Sequence, residues 1–158
     1  MTRPRGPRLT LTLDLRPAPS HLHATLAGEY TYDELKKALA TIMAAAYEQP
    51  SLKLLIDCLA VTGNPTLRER FDLVAFALQQ RINAILNGKS PRVATALVAV
   101  PPFAHPNRYA VRLLLERNLK ITVCERVEDA LAWLGAPPGV PTTGSDPGSA
   151  AQTDASEA

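Results

Sequence analysis

The sequence predicts an α/β domain in which one mixed β-sheet is flanked by helices. After two opening strands, helical and strand patterns alternate strictly, as they do in chains built around parallel strands. Two apolar runs, residues 52–56 and 93–100, lack regular polar alternation, which is typical of strands covered on both faces. The length of 158 residues, with 46% hydrophobic and 20% charged residues, fits one globular domain. The expected order is β-β-α-β-α-β-α-β-α, with about five strands and four helices.

The first two strands are predicted from a two-residue hydrophobic period. Leucines at positions 9, 11, 13 and 15 alternate with polar residues, which indicates a strand with one solvent-exposed face. Pro17, Pro19 and Ser20 predict a turn. A second alternating segment then begins at Leu22, so we expect an antiparallel opening pair.

Two capping boxes mark the first two helices. Thr31 and Glu34 form a T-x-x-E pattern, and apolar residues then recur at helical spacing until Pro50. The strand at 52–56 follows, and Asp57 is expected to end it. Thr66 and Glu69 form the second box after the loop at 62–65. The second helix should carry one apolar stripe and close at Asn87-Gly88; the stripe comprises Phe71, Val74, Leu78, Ile82 and Ile85.

The remaining elements are shorter. The strand at 93–100 should stop at Pro101-Pro102, and a third helix is expected over 107–116 with Asn107 as its cap. The chain should leave that helix at Asn118, and this residue should adopt the left-handed backbone conformation. A fifth strand at 121–124 and a final helix ending at Gly135 complete the domain.

Composition places the domain at residues 9–135, between a basic flexible arm at 1–8 and an acidic tail at 136–158. The tail consists mainly of Ala, Pro, Gly, Ser and Thr, so we expect it to be disordered. No secretory signal and no apolar run of about 20 residues occurs, which predicts a cytoplasmic protein without a membrane span.

Several function classes receive no support from the sequence. A formal net charge of +2 is too small to indicate nucleic acid as a partner. His21 and His23 share a strand face without a third ligand, and no cysteine motif is present, so neither a metal nor another cofactor is predicted. Cys58 and Cys124 are expected to be reduced thiols. No catalytic signature nominates an enzyme.

The candidate site lies at the carboxyl ends of the strands, where open α/β sheets usually bind their ligands. Thr62 and Thr66 place hydroxyl groups near the start of the second helix, and their phosphorylation would introduce a regulatory charge. The predicted partner or ligand surface comprises Asp57, Asn64, Arg70, Arg108 and Arg112.

Six short segments carry a family resemblance: residues 54–57, 61–63, 69–73, 92–94, 117–118 and 128–134. Over roughly residues 8–135 the chain resembles the bacterial STAS-like family, which is related to anti-sigma-factor antagonists and, in fold, to lipid-carrying CRAL-TRIO domains. The resemblance implies a STAS-like sandwich and a regulatory module that binds a protein partner. In better-studied relatives, phosphorylation of a Ser or Thr at the second helix controls binding to a partner kinase; here Thr62 and Thr66 occupy that loop.

Three functional hypotheses follow. The first is a non-catalytic protein-interaction module that uses the face of the second helix and the preceding loop, with a homodimer as one arrangement. The second is a small-ligand or lipid binder with an apolar pocket between the second and third helices, bordered by Phe71, Phe76, Phe103 and Tyr109. The third is a hydrolase, which would require His105, Asp57 and Cys58 to meet.

Overall fold

The computed structural model describes residues 10–90, 92–105 and 107–135. The predicted arm at 1–8 and tail at 136–158 lie outside these residues. The described residues form nine elements in the predicted order. The strands are β1 (Leu11–Pro17), β2 (Leu22–Glu29), β3 (Lys53–Thr62), β4 (Ala94–Val98) and β5 (Lys120–Cys124). The helices are α1 (Tyr32–Glu48), α2 (Leu67–Leu86), α3 (Tyr109–Glu116) and α4 (Val127–Leu134).

The strands form one mixed sheet in the order β1-β2-β3-β4-β5. β1 pairs antiparallel with β2, and the other neighbours pair in parallel, which confirms the predicted α/β class. Each crossover after β2 steps in the same direction, and right-handed crossovers of that kind place their helices on one side of the sheet. α1, α2 and α3 accordingly share one face, while α4 packs against the other.

Alternation along β3 divides the core between these two faces. Leu54 and Ile56 pack into the larger cluster beneath α1, whereas Leu55 packs with Ala130 and Leu134 of α4. The side chain of Leu55 is fully buried. Because both faces of β3 are covered there, its sequence reads as an almost continuous apolar run.

β3 is longer than predicted, so the expectation that Asp57 ends the strand is wrong. Pairing with β4 stops at Asp57 opposite Val98, but pairing with β2 continues to Thr62 after a register shift between Thr25 and Ala27. The Asp57 carboxylate accepts a hydrogen bond from the Leu59 backbone N–H at 3.0 Å. The carboxyl end of β3 therefore extends five residues beyond the end of its pairing with β4.

Of the two predicted capping boxes, the one at Thr66 and Glu69 forms in the structure and the one at Thr31 and Glu34 forms only in part. Thr31 accepts the Glu34 backbone N–H, but the Glu34 carboxylate accepts hydrogen bonds from Thr10 and from the Leu11 backbone N–H instead of closing the box. The hydrogen bond from the Thr10 side chain is the main reason that the pKa of Glu34 is lowered. Glu34 thus links α1 to the beginning of β1, a contact that its position in a local motif did not predict.

The start of α3 is also different from the prediction. Asn107 is not the cap: the helix begins at Tyr109, and Arg108 occupies the cap position in the left-handed conformation with φ of 53° and no side-chain cap bond. Asn118 adopts φ of 65° at the other end, which confirms the predicted left-handed exit.

Candidate functional site

An apolar cavity of about 220 Å³ lies between the sheet and helices α1, α2 and α3. α2 packs mainly against its two neighbouring helices, so the space beneath it remains unfilled. An engineered apolar cavity of about 150 Å³ is known to stay dry and to bind benzene. The cavity therefore has room for a small apolar molecule. The aliphatic residues that line it include Leu26, Leu35, Leu39, Leu54, Ile56, Leu73, Val74, Leu97, Val111, Leu114 and Val123.

The cavity lies between α2 and α3, but most of the aromatic residues predicted to border it do not. Phe103 lines the cavity, whereas Phe71 and Tyr109 are exposed and Phe76 is partly buried with its ring 5.3 Å from the Lys36 ammonium. The reason is the rotation of α2, which turns Arg70 and its helical neighbours toward the cavity and turns Phe71 away.

The charged side chains that line the cavity are all cationic. Arg70, Arg81, Arg108 and Lys120 line it together with His105, and no Asp or Glu is among its lining residues. An anion would consequently meet favourable charge at the cavity, whereas a cation would not.

Arg81 is the cationic lining residue with an unmet hydrogen-bonding requirement. Its Nε is buried and has no hydrogen-bond partner among the described residues. Tyr47 also lines the cavity, and its pKa is raised by burial while the nearby charge of Arg81 acts in the opposite direction. A buried donor without a partner is costly, so this end of the cavity favours a hydrogen-bond acceptor.

Arg70 joins two loops at the carboxyl edge of the sheet. Its Nη1 donates to the Phe103 carbonyl at 2.7 Å, and its Nη2 donates to the Pro102 carbonyl at 3.0 Å and to Asn64 Oδ1 at 3.1 Å. Its Nε donates to the Pro65 carbonyl at 3.1 Å. The structure thus brings together two residues of the predicted surface, Asn64 and Arg70, in an arrangement that holds the loops in place.

The two candidate phosphorylation residues are both exposed but have different roles. Thr66 is the N-cap of α2: its Oγ1 accepts the Glu69 backbone N–H at 3.1 Å, and the Glu69 carboxylate accepts the Thr66 backbone N–H at 3.0 Å. Thr62 is the last residue of β3, and its hydroxyl donates to the Gly28 carbonyl at 3.4 Å. Thr66 is thus the residue through which a modification would act directly on the start of α2.

Replacing Thr66 with alanine is expected to lower the free energy of unfolding by about 1 kcal/mol, because it removes the acceptor for the Glu69 backbone N–H. Urea denaturation measures this change. Thr66→Ser, which retains the acceptor, is the control and should change stability by less than half as much. Equal losses in the two variants would contradict the capping role.

The remaining predicted surface residues are dispersed. Asp57 lies opposite Thr25 on β2, and its charge acts on His23, which places it on the sheet face away from the cavity. Arg108 lines the cavity and donates to the Val123 carbonyl at 3.5 Å, while Arg112 is exposed on α3. Asp57 and Arg112 are therefore not part of the cavity edge formed by Arg70 and Arg108.

The hydrolase arrangement is not assembled. Cys58 and His105 line the cavity, but Asp57 precedes Cys58 on a strand and points to the opposite face. Burial, assisted by the charge of Asp57, raises the pKa of the Cys58 thiol to about 12. Such a thiol is protonated at neutral pH, and a thiol is a much weaker nucleophile than a thiolate.

α2 presents a second apolar face, which we call the outer row: Leu67, Phe71, Ile82, Ile85 and Leu86. Their exposed fractions range from 39% to 78%. The sequence prediction grouped three of them with Val74 as one stripe, but Val74 is buried whereas Phe71 and Ile82 are exposed. The helical spacing indicated an apolar face without showing whether it packs inward.

Among the described residues, no helix is both long enough and apolar enough to cross a membrane. In the same part of the chain, no three His, Cys, Asp or Glu side chains are grouped so that they could hold a metal ion.

Comparison with known proteins gives similarities of fold. No family model and no curated protein matches this sequence. A similar solved structure is an anti-sigma factor antagonist from Mycobacterium paratuberculosis, with 16% identity, a TM-score of 0.48, and coverage of 79% of this chain and 94% of that one. Another is an uncharacterized protein with a SpoIIAA-like fold from Shewanella loihica, with 18% identity, a TM-score of 0.45, and coverage of 83% and 99%.

Proposed function

We propose that this protein is a non-catalytic regulatory module that binds another protein through the outer row of α2 and the loop at residues 63–66. The observation that carries the proposal is the exposure of five large apolar side chains on one helix of 20 residues. Contiguous apolar surface on a soluble protein commonly marks an interaction site. The resemblance of the sequence to the STAS-like group supports the same interpretation.

The outer row suits a partner that offers a complementary apolar groove or helix. Leu67, Phe71, Ile82 and Ile85 are separated by intervals that keep them on one strip of the helix surface. Burial of an exposed apolar side chain of this size contributes about 1.5–3 kcal/mol at most, so a few such residues can support a specific complex. Exposed Arg68 and Asp72 would lie at the polar rim of that contact.

Replacing Ile82 with lysine is expected to weaken partner binding at least tenfold, because a charge would be placed in an apolar contact (about 1.4 kcal/mol or more). The tagged protein is used for affinity purification and mass spectrometry, and light scattering records its oligomeric state. Gln79→Lys adds the same charge to an exposed polar position of α2 and serves as the control.

Loss of a partner, or of a homodimer, in the Ile82 variant but not in the Gln79 variant would support the proposal. Retention of the same partner and the same oligomeric state in both variants would contradict it. A dimer in the unmodified protein would identify a second copy as the partner.

Phosphorylation of Thr66 would regulate this contact from the adjoining loop. A phosphate there would be favoured by the N-terminus of α2 but opposed by the nearby Glu69 carboxylate. Thr66→Asp retains an acceptor for the cap and adds charge, whereas Thr66→Ser retains the cap alone. Equal partner affinity in these two variants would argue against a switch at Thr66. For Thr62, the corresponding comparison is between Thr62→Asp and Thr62→Ser.

We also propose that the protein acts in the cytoplasm. Cys58 and Cys124 are both free thiols in the structure, as is usual in a reducing compartment. Localisation of a fluorescent fusion of the full chain tests this proposal.

A second candidate function is the binding of a small apolar ligand or lipid chain, and the cavity beneath α2 favours it. The cavity is larger than the voids normally left in a packed protein core, which rarely exceed the size of a water molecule. Native mass spectrometry of the protein purified from cells tests whether it carries such a ligand. Recovery of the bare polypeptide alone would count against this candidate.

A further inference from the structure

We propose that the cavity beneath α2 binds a single-chain anionic amphiphile of the fatty-acid class, with its carboxylate held by Arg81. This proposal rests on the second candidate function, ligand binding in the cavity, and is independent of partner binding through the outer row. It is carried by the combination of apolar walls, uniformly cationic charged lining residues and the unpartnered Nε of Arg81.

The volume of the cavity limits how much of a hydrocarbon chain it can enclose. If a methylene group needs about as much space as a water molecule, roughly 30 Å³, a cavity of about 220 Å³ accommodates seven or eight carbon atoms. The walls are mostly aliphatic side chains, which suit a flexible hydrocarbon chain better than a polar metabolite. A medium-length chain such as that of octanoate is therefore the appropriate probe.

Arg81 is distinguished from Arg70 by its hydrogen bonds. The Arg70 guanidinium already donates to three carbonyls and to Asn64, whereas the Arg81 Nε has no partner among the described residues. A guanidinium presents parallel N–H groups that match the two oxygens of a carboxylate. A bound carboxylate would satisfy the buried Nε and neutralise the charge.

The topology places further donors at the same end of the cavity. Tyr47 lies in the last turn of α1, Arg81 in the second half of α2 and Lys120 at the first position of β5, and all three line the cavity. Since α1 and α2 run back toward the beginnings of the parallel strands, these residues are expected at the amino-terminal edge of the sheet. A head group there would meet one phenol and two cations.

The experiment compares octanoate with octan-1-ol by calorimetric titration of the full chain at neutral pH. We expect octanoate to bind at least tenfold more tightly than the alcohol, because charge-assisted hydrogen bonds are stronger than neutral ones. Arg81→Gln should weaken octanoate binding about tenfold and leave octan-1-ol binding unchanged. Arg68→Gln, an exposed position on the same helix, should change neither.

A second readout does not depend on the stability of a variant. In the unmodified protein, the NMR signal of the Arg81 Nε–H group should shift on addition of octanoate and not on addition of octan-1-ol. Arg81→Lys, which keeps the charge but not the paired donors, should bind octanoate with intermediate affinity.

The outcomes separate this proposal from the one on which it rests. Equal binding of octanoate and octan-1-ol, or unchanged octanoate binding by Arg81→Gln, would overturn the role of Arg81 while ligand binding in the cavity would stand. If neither probe binds, ligand binding fails as well. Partner binding through the outer row is unaffected in either case.

Discussion

Replacing Arg70 with methionine is expected to lower the free energy of unfolding by about 3 kcal/mol. The variant removes four hydrogen bonds and leaves the carbonyls of Pro65, Pro102 and Phe103 without this donor. A hydrogen bond that involves a charged group contributes about 1.5–3 kcal/mol, but the four bonds of one guanidinium are not additive and Arg70 is only half-buried, so we expect a total equal to that of one or two such bonds. Methionine keeps the unbranched stem, so the packing contribution should change less.

Denaturation by urea measures the effect of the Arg70 substitution, and Arg68→Met is the matched control. Arg68 is exposed on the same helix, and substitutions at exposed positions usually change stability by less than about 0.5 kcal/mol. Amide hydrogen exchange should also become faster at residues 103–105 if Arg70 holds that loop. Similar stability of the two methionine variants would show that Arg70 does not stabilise the loops.

Replacing Gly28 with alanine is expected to lower the free energy of unfolding by more than about 3 kcal/mol. Gly28 has φ of 119°, a conformation that residues with a side chain rarely adopt. A Cβ added there would lie 2.0 Å from the Thr10 carbonyl oxygen, which itself accepts the Glu29 backbone N–H. Relief of the clash therefore requires movement of β1 relative to β2.

Gly88→Ala separates the two causes of this destabilisation. Gly88 also has a positive φ, of 81°, but an added Cβ would meet no atom within 4 Å. Backbone strain alone should cost about 1–2 kcal/mol there, so a clearly larger loss for Gly28→Ala indicates an added cost from the clash with β1. Urea denaturation measures the free energy of unfolding of both variants. Equal losses at the two glycines would show that the clash is absorbed without cost.

α2 shows why the candidate site could be predicted only in part. Its apolar residues occur on two sides, with Leu73, Val74 and Ala77 facing the cavity and Phe71 and Ile82 facing outward. A periodic pattern identifies a helix, but it selects an inward face only when the opposite side is polar. Three residues of the outer row, Phe71, Ile82 and Ile85, were consequently placed in one predicted stripe with the buried Val74.

The charged groups at the cavity show a different limit. Arg70 was included in the predicted partner or ligand surface, yet its hydrogen-bond partners Pro102 and Phe103 are more than 30 positions away in the sequence. Arg81 was not selected, since one arginine in a long helix is ordinarily a solvated charge. Its three-residue spacing from Leu78 and four-residue spacing from Ala77 carry no sign of the buried Nε.

The sequence by itself determined the order of the elements, most of their ends and the mixed character of the sheet. These features depend on interactions between residues close in the chain: strand alternation from Leu11, the capping box at Thr66 and the left-handed exit at Asn118. Tertiary structure alone decided the full extent of β3, the rotation of α2 and the cavity beneath it. Those features depend on how strands and helices pack after they form, and packing involves residues that the sequence places far apart.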